Sequence, residues 1–196
     1  MIAVVDQFDA FAGSLVQCLE TLGAEVRVLR LEALSAAVLA ADRFEGLLLA
    51  SGPGRPALPE AAREAVRRAE GRIPVLGIGL GHLALAELHG ARTVPAPRAR
   101  HGRTSPVLHR GRGLFAGLEN PFEAARYDAL AVERDPLPAA LELTAWTPDG
   151  EVMGLRHRDH DTWGVQFPPQ SFLTRPGPRL VENFLTLCRQ HKEVPR

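Results

Sequence analysis

The stretch Val75-Leu76-Gly77-Ile78-Gly79-Leu80-Gly81-His82-Leu83-Ala84-Leu85 has the make-up of a reactive turn. Four residues after Pro74 read as a buried strand, three glycines at alternate positions make a sharp bend, and the run from Leu80 to His89 continues at helical spacing. Where a strand turns tightly into a helix, the helix N–H groups and dipole stabilise negative charge. The residue at the tip projects into solvent. Nucleophilic acyl chemistry would place a Ser or Cys there, but residue 79 is glycine.

Other residues could also carry chemistry. Ser51-Gly52-Pro53-Gly54-Arg55-Pro56 is a rigid loop whose N–H groups can approach a ligand closely, or simply a tight crossover. Gly77, Gly79 and Gly81 could be taken for a dinucleotide loop. That fingerprint wants its third glycine one residue later, on the first strand–helix unit, with an acid about 20 residues on. His157-Arg158-Asp159-His160-Asp161 gathers possible metal ligands, yet reads better as a polar turn between strands. Arg98, Arg100, Arg103, Arg110 and Arg112 form a basic stretch without interleaved aromatics, which suits a solvated face or a protein contact better than nucleic acid. Ser51, Ser171 and Asp128 could replace a nucleophile or base, but none has a histidine partner at a known spacing.

The elements that position these residues follow from periodicity. Ile2 to Val5 is an apolar run, taken as a central strand, ending in Asp6-Gln7-Phe8-Asp9. Phe11, Leu15, Cys18, Leu19 and Leu22 share one helical face, which makes Cys18 a core thiol, and Gly23 ends that helix. Glu25 to Leu31 reads as a strand, Leu34 to Ala41 as a helix, Gly46 to Ala50 as a buried strand, and Pro59 to Arg68 as a helix. Repeated β–α units predict a parallel, doubly wound sheet with ligands at the carboxyl ends of its strands. From Arg92 the pattern changes to short runs (103–108, 122–127, 141–147, 152–156 and 164–167) separated by turns, then a terminal helix on Leu180, Phe184, Leu187 and Cys188. The expected fold is α/β, a single-domain, open, twisted, mostly parallel sheet with helices on both faces and an antiparallel extension, spanning residues 1–196.

Composition narrows the class. The 196 residues are 45% hydrophobic and 23% charged with zero formal net charge, so no global field favours nucleic acid or an anionic membrane. Lys192 is the only lysine, consistent with a coding bias toward arginine rather than a binding adaptation. Two cysteines, Cys18 and Cys188, suggest neither a disulfide framework nor a metal knuckle. The N-terminus lacks the pattern of a secretory signal, and no apolar run approaches the roughly 20 residues of a membrane span. The cytoplasm is the expected compartment.

Taken in order, several segments resemble class I glutamine amidotransferases, specifically the small subunit of anthranilate or aminodeoxychorismate synthase. They are Val5-Asp6-Gln7-Phe8-Asp9-Ala10-Phe11, Gly52-Pro53-Gly54-Arg55-Pro56, residues 74–82, His101-Gly102-Arg103-Thr104-Ser105-Pro106, Arg126-Tyr127-Asp128-Ala129-Leu130, Thr144-Ala145-Trp146 and residues 164–171. The resemblance implies a flavodoxin-like sheet, no cofactor, no metal, and, as partner, a chorismate-using synthase subunit in the tryptophan or folate branch. Neither nucleic acid nor membrane is implied, and a homo-oligomer is left open. His101, Gly102, Arg103, Thr104 and Ser105 are the implied partner contacts. In the family, an elbow Cys attacks the glutamine amide, a His activates it and a Glu orients the His, while backbone N–H groups hold the oxyanion. Ammonia then passes to the synthase.

This chain departs from the pattern where the chemistry sits. The triad positions are Gly79, Pro168 and Gln170, none of which can take the family's role. Substrate positions at Gly52, Gly54, Leu80, Leu83, Ala129 and Leu130 become vestigial. Leu83 stands for the family's substrate-holding Gln, and Ala129 for its Ser. The resemblance therefore implies a member without glutaminase activity that binds or regulates a synthase, with an apolar former pocket. The alternative is residual or altered hydrolysis in the same pocket.

Overall fold

A computed structural model of the chain describes residues 1–41 and 43–193. Among them, nine strands form one sheet in the order β2-β1-β3-β4-β9-β8-β7-β5-β6. Strands β1 (Ile2–Asp6), β2 (Val26–Arg30), β3 (Gly46–Leu49), β4 (Val75–Ile78) and β9 (Thr162–Val165) run parallel. Strands β8 (Val152–His157), β7 (Leu141–Trp146), β5 (Thr93–His109) and β6 (Phe122–Val132) extend the sheet in antiparallel pairs. This is the expected α/β architecture, with its antiparallel extension on the β9 side.

The period-two geometry of a strand divides each central apolar run between two cores. Ile2, Val4, Leu48, Leu76 and Ile78 face one side, where α1 (Ala12–Thr21) contributes Leu15 and Leu19 and α5 (Gly177–Glu193) contributes Leu180, Val181, Phe184, Leu185 and Cys188. Ala3, Val5, Leu47, Leu49 and Val75 face the other. There they meet Leu34 and the partly buried Val38 and Leu39 beside α2 (Ala36–Ala41), Ala62, Ala65 and Val66 of α3 (Glu60–Ala69), and Ala84, Leu85 and Leu88 of α4 (Leu80–Leu88). Helix α4 is buried nearly all round, because its remaining face packs Leu83 and Ala86 against Val132, Leu141, Val152 and Leu155 of the antiparallel strands. A helix apolar on every face must have protein on every face.

Three boundaries differ from the sequence reading. Strand β5 begins ten residues before 103, and β6 runs five residues past 127. Pro95, Pro97, Gly102 and Pro106 hide β5 in the sequence. The strand accommodates them because its ladder to β6 is interrupted between Pro95 and Arg100 and between His101 and Arg103, and β7 pairs only with Leu108 and His109. The strand read at 164–167 lies two residues earlier, as β9, which pairs parallel with β4; beyond it Gln166 turns to the site and Phe167 into the core. Phe11 is not on the buried face of α1. It sits at the helix N-cap, 44% exposed, with its ring 5.4 Å from that of Tyr127. Cys18 is half-buried at the margin of the core rather than inside it.

Candidate functional site

The site lies at the carboxyl ends of β1, β3 and β4, where the chain leaves the sheet in three neighbouring loops. The first, after β1, is folded on Asp6, whose Oδ1 accepts the Asp9 N–H at 3.0 Å, while Asp9 Oδ1 accepts the Phe11 N–H at 3.0 Å. Gln7 donates from Nε2 to the Ala50 carbonyl at 2.7 Å, tying this loop to the end of β3. Gly52, in the second loop, is so close that a Cβ there would lie 2.4 Å from the Gln7 carbonyl oxygen. No side chain fits at that position.

The third loop is the elbow between β4 and α4. Gly79 holds φ +55° and ψ −111°, on the side of backbone space that side chains rarely adopt. A Cβ at Gly79 would meet Ser51 Oγ at 2.5 Å and Ser51 Cβ at 3.1 Å, so Ser51 fills the space into which a residue 79 side chain would start. The Ser51 hydroxyl also accepts the first helical N–H, from Leu80, at 3.4 Å. Gly77 and Gly81 serve a different purpose. A Cβ on either would strike backbone, Gly81 O at 2.5 Å and Leu49 O at 2.2 Å respectively, so glycine lets α4 lie directly on β3 and β4.

A fourth segment follows β9. The Ala125 N–H donates to Thr174 Oγ1 at 3.0 Å, and Gly177 approaches the Pro169 carbonyl so closely that a Cβ would lie 1.8 Å from it. These contacts bring Pro168 and Gln170 back over the elbow. The result is a cavity of about 130 Å³ lined by Gly52, Gly54, Gly79, Leu80, Leu83, Ala129, Leu130, Pro168 and Gln170, together with Asp9, Ser51, Asp128 and Gln166. All the residues singled out from the sequence as triad or substrate positions therefore line one space. No histidine, lysine, arginine or cysteine is among its lining residues. A wider hollow of about 490 Å³ adjoins it, sharing Phe11, Tyr127, Pro168 and Gln170 and bordered by Cys18, Ser171 and the 86% exposed Phe172.

The cavity is not the apolar pocket expected from Leu83 and Ala129. Asp9 Oδ2, Gln166 Oε1 and both amide atoms of Gln170 are buried without a hydrogen-bond partner. Burial, reinforced by the nearby Asp6 charge, pushes the Asp9 carboxyl above the usual range, against the Phe11 N–H bond that lowers it. Sequence reasoning missed Asp9 and Gln166 as lining groups. Asp9 is visible in the first quoted segment, but only the fold brings its free oxygen to the elbow.

Asp128 is not a free base. Both of its oxygens are held by Arg126, at 2.7 Å from Nε and 2.5 Å from Nη2, and the same guanidinium reaches Glu151 at 3.1 Å and Ser105 Oγ at 3.4 Å. Arg126 is wholly buried. Burial works against its charge, but Asp128 and Glu151 outweigh it and hold the group protonated. Ser171 accepts the Leu173 N–H at 3.3 Å and faces the outer hollow, so it is not a nucleophile of the inner one.

The suspected partner segment divides by burial. His101, Gly102, Arg103 and Thr104 are exposed on β5, whereas Ser105 is 2% exposed and turned inward to Arg126, so it cannot be a partner contact. The His101 ring meets Tyr127 edge-on at 5.0 Å, and Tyr127 in turn touches Phe11 at the cavity mouth. At the opposite end of the sheet, the 157–161 segment is the turn from β8 to β9. His157 Nδ1 accepts the N–H groups of Asp159 and His160 at 3.1 and 3.2 Å. Among the described residues, no group of three or more His, Cys, Asp or Glu is placed to hold a metal ion.

An open α/β sheet with a strand–helix elbow and converging loops at its carboxyl edge defines a class of ligand-binding α/β folds. The crystal structure of a GMP synthase subunit protein from Thermoplasma acidophilum shares that fold, with a TM-score of 0.85 over 98% of this chain and 95% of that one at 23% identity. The family model for class-I glutamine amidotransferases matches residues 3–188, and the chain belongs to that family. It is 42% identical over 185 residues to aminodeoxychorismate synthase component 2 of Escherichia coli, covering 94% of this chain and 99% of that protein. It is also 42% identical over 190 residues to anthranilate synthase component 2 of Pseudomonas putida, covering 94% and 96%. Among the described residues, no helix is long and apolar enough to cross a membrane.

Proposed function

We propose that the chain is a non-catalytic glutamine amidotransferase-like subunit that docks on a chorismate-using synthase subunit of the tryptophan or folate branch and acts there as a binding or regulatory partner. It would work as one domain over residues 1–196 in the cytoplasm. The observation that carries the reading is the elbow itself. Gly79 supplies no nucleophile, and Pro168 and Gln170, which line the same cavity, supply neither a general base nor a carboxylate to orient one. Cys–His acyl transfer needs a thiolate, a base within hydrogen-bond reach and a third group orienting the base. Losing members that act as a unit leaves little for the survivors to do. The relatives named component 2 support the choice of partner class.

The test is ammonia release from glutamine, with and without a purified synthase subunit, combined with capture of that subunit. Capture without turnover is the expected outcome. Turnover at the rate of an active relative would overturn the non-catalytic reading. Failure, at micromolar concentration, to capture any such subunit would overturn the partner.

A second reading, residual or altered hydrolysis, is favoured by one observation: the Ser51 hydroxyl occupies the space beside Gly79. Its Oγ accepts the Leu80 N–H, and no histidine lines the cavity to activate it. Turnover lost in Ser51→Ala would select this reading.

A further inference from the structure

The turn from β8 to β9 lies at the opposite end of the sheet from the elbow, and the proposed function makes no use of it. Its hydrogen bonding has a recognisable form. His157 Nδ1 accepts the N–H groups of the residues two and three further on, Asp159 at 3.1 Å and His160 at 3.2 Å. Asn and Asp side chains close turns in this way, with a side-chain oxygen as the acceptor. Here the acceptor belongs to a side chain that titrates near neutral pH. An imidazole nitrogen accepts only while it carries no proton, so the turn requires the neutral ring with its proton on Nε2.

The surroundings govern when that ring takes a second proton. His157 is buried at the end of β8. Its ring stacks on His160 with centroids 4.5 Å apart, and it meets His89, at the C-terminal end of α4, at 4.7 Å. Burial first, then these two neighbours, push its pKa below the ordinary 6.5, against Glu70 and Asp159, which raise it. Glu70, at the end of α3, is already engaged: its Oε1 lies 2.8 Å from His89 Nε2 and accepts the Thr162 hydroxyl at 3.1 Å. Asp161 faces His191 of α5, with Oδ2 and Nδ1 3.4 Å apart. Arg156 and His82 line the same narrow crevice as His157 and His89, while Arg158 donates from Nε to the Ala139 carbonyl at 2.9 Å.

We infer that the β8–β9 turn is an acid-released latch: protonation of His157 at Nδ1 turns the acceptor of two backbone N–H groups into a donor, and the turn opens. What the latch holds is the start of β9. The Asp161 carbonyl, within the turn, accepts the Val75 N–H of β4 at 2.8 Å, and Thr162, the first residue of β9, pairs with Val75. The turn is closed above the ordinary imidazole pKa of about 6.5 and is lost as pH falls through the lower value of the folded ring. An asparagine in the same place would hold the turn at any pH, so histidine is what makes it responsive.

The inference rests neither on the loss of glutamine hydrolysis nor on the synthase partner. Its test is NMR on the full chain from neutral pH down to about two units below the ordinary imidazole pKa, following the imidazole nitrogens and the exchange protection of the backbone amides. At neutral pH the His157 ring should be the Nε2–H tautomer. Protection of the Asp159 and His160 amides should fall at least tenfold over the range in which Nδ1 takes its proton, while the buried Val4 and Leu48 keep theirs. His157→Asn, whose oxygen can accept both N–H groups without titrating, should keep the protection throughout, and His157→Leu should lose it at every pH. Protonation of His157 with both amides still protected overturns the proposal, as does loss of protection while the ring is neutral, or an Nδ1–H tautomer at neutral pH. The same acid loss in His157→Asn would assign the effect to His89 or His160 and overturn it too. So would a chain that reaches the acid limit, or unfolds as a whole, with the turn intact. If a variant does not fold, the joint titration of ring and amides in the parent chain decides.

Discussion

Gly79 illustrates how one residue can hold an architecture while offering no side chain of its own. Its backbone keeps the sharp strand-to-helix geometry that would strain any other residue by about 1–3 kcal/mol, and Ser51 has closed over the space where a side chain would begin. Gly79→Cys should therefore lower stability by an amount of that order, since Ser51 must rotate and release the Leu80 N–H. It should restore no ammonia release, because Pro168 and Gln170 remain; urea unfolding and a glutaminase assay check the two halves. The second residue with a measurable signature is His82, on α4. Gly164 makes room for its ring, since a Cβ there would lie 2.4 Å from Nδ1, and both ring nitrogens are buried without partners. Burial pushes its pKa down to about 3. The folded state then resists a proton that the unfolded chain accepts below its ordinary value near 6.5. Stability is accordingly full above that value and is lost as pH falls from about 6.5 toward 3, at up to roughly 1.4 kcal/mol per pH unit. His82→Leu should flatten that acid limb, read as unfolding free energy across pH 7 to 4. The sequence shows the glycine and the histidine; that the ring is buried without a protein partner depends on a glycine 82 residues away.

At the scale of elements, the β5–β6 ribbon ties an exposed edge to the site. Its inner face carries Arg126, bound to Asp128, Glu151 and Ser105, and its outer face exposes His101 to Thr104. Removing one member of a buried charge cluster leaves the others uncompensated, typically at about 3–5 kcal/mol. Arg126→Met should cost about that much in urea unfolding, and adding Asp128→Asn and Glu151→Gln should recover most of it. The exposed face behaves differently. His101→Ala with Arg103→Glu should leave the melting temperature within a degree or two, because surface changes away from special features are nearly neutral. In a pull-down titration, the same pair should weaken capture of the synthase subunit by tenfold or more. Periodicity locates the core of this ribbon at 103–108 and 122–127 but not its length, because prolines and a glycine interrupt β5. Alternation cannot show that bulges will carry a strand across them. Nor can it show that Ser105, in the middle of an exposed motif, turns inward to a buried arginine.

Over the whole molecule, one continuous sheet joins the parallel half to the antiparallel half, and α4 is packed against both. Among the described residues, that packing runs from one half into the other. Unfolding in urea should therefore be a single transition, with coincident curves from far-UV and near-UV circular dichroism. The order of strands and helices from β1 to α4, the loops that converge at the carboxyl edge, the glycine at the elbow and the family are all legible in the chain before it folds, whereas the parallel pairing of β9 with β4 is not. They follow from local periodicity, turn chemistry and motifs read in order. The character of the site is not legible there. Leu83 and Ala129 suggest an apolar pocket, whereas the folded chain sets Asp9, Ser51, Gln166 and Gln170 around it, and it neutralises Asp128 with an arginine two residues away. Whether a polar group is free or satisfied is a property of what surrounds it in space, and residue type and spacing along the chain do not carry that information.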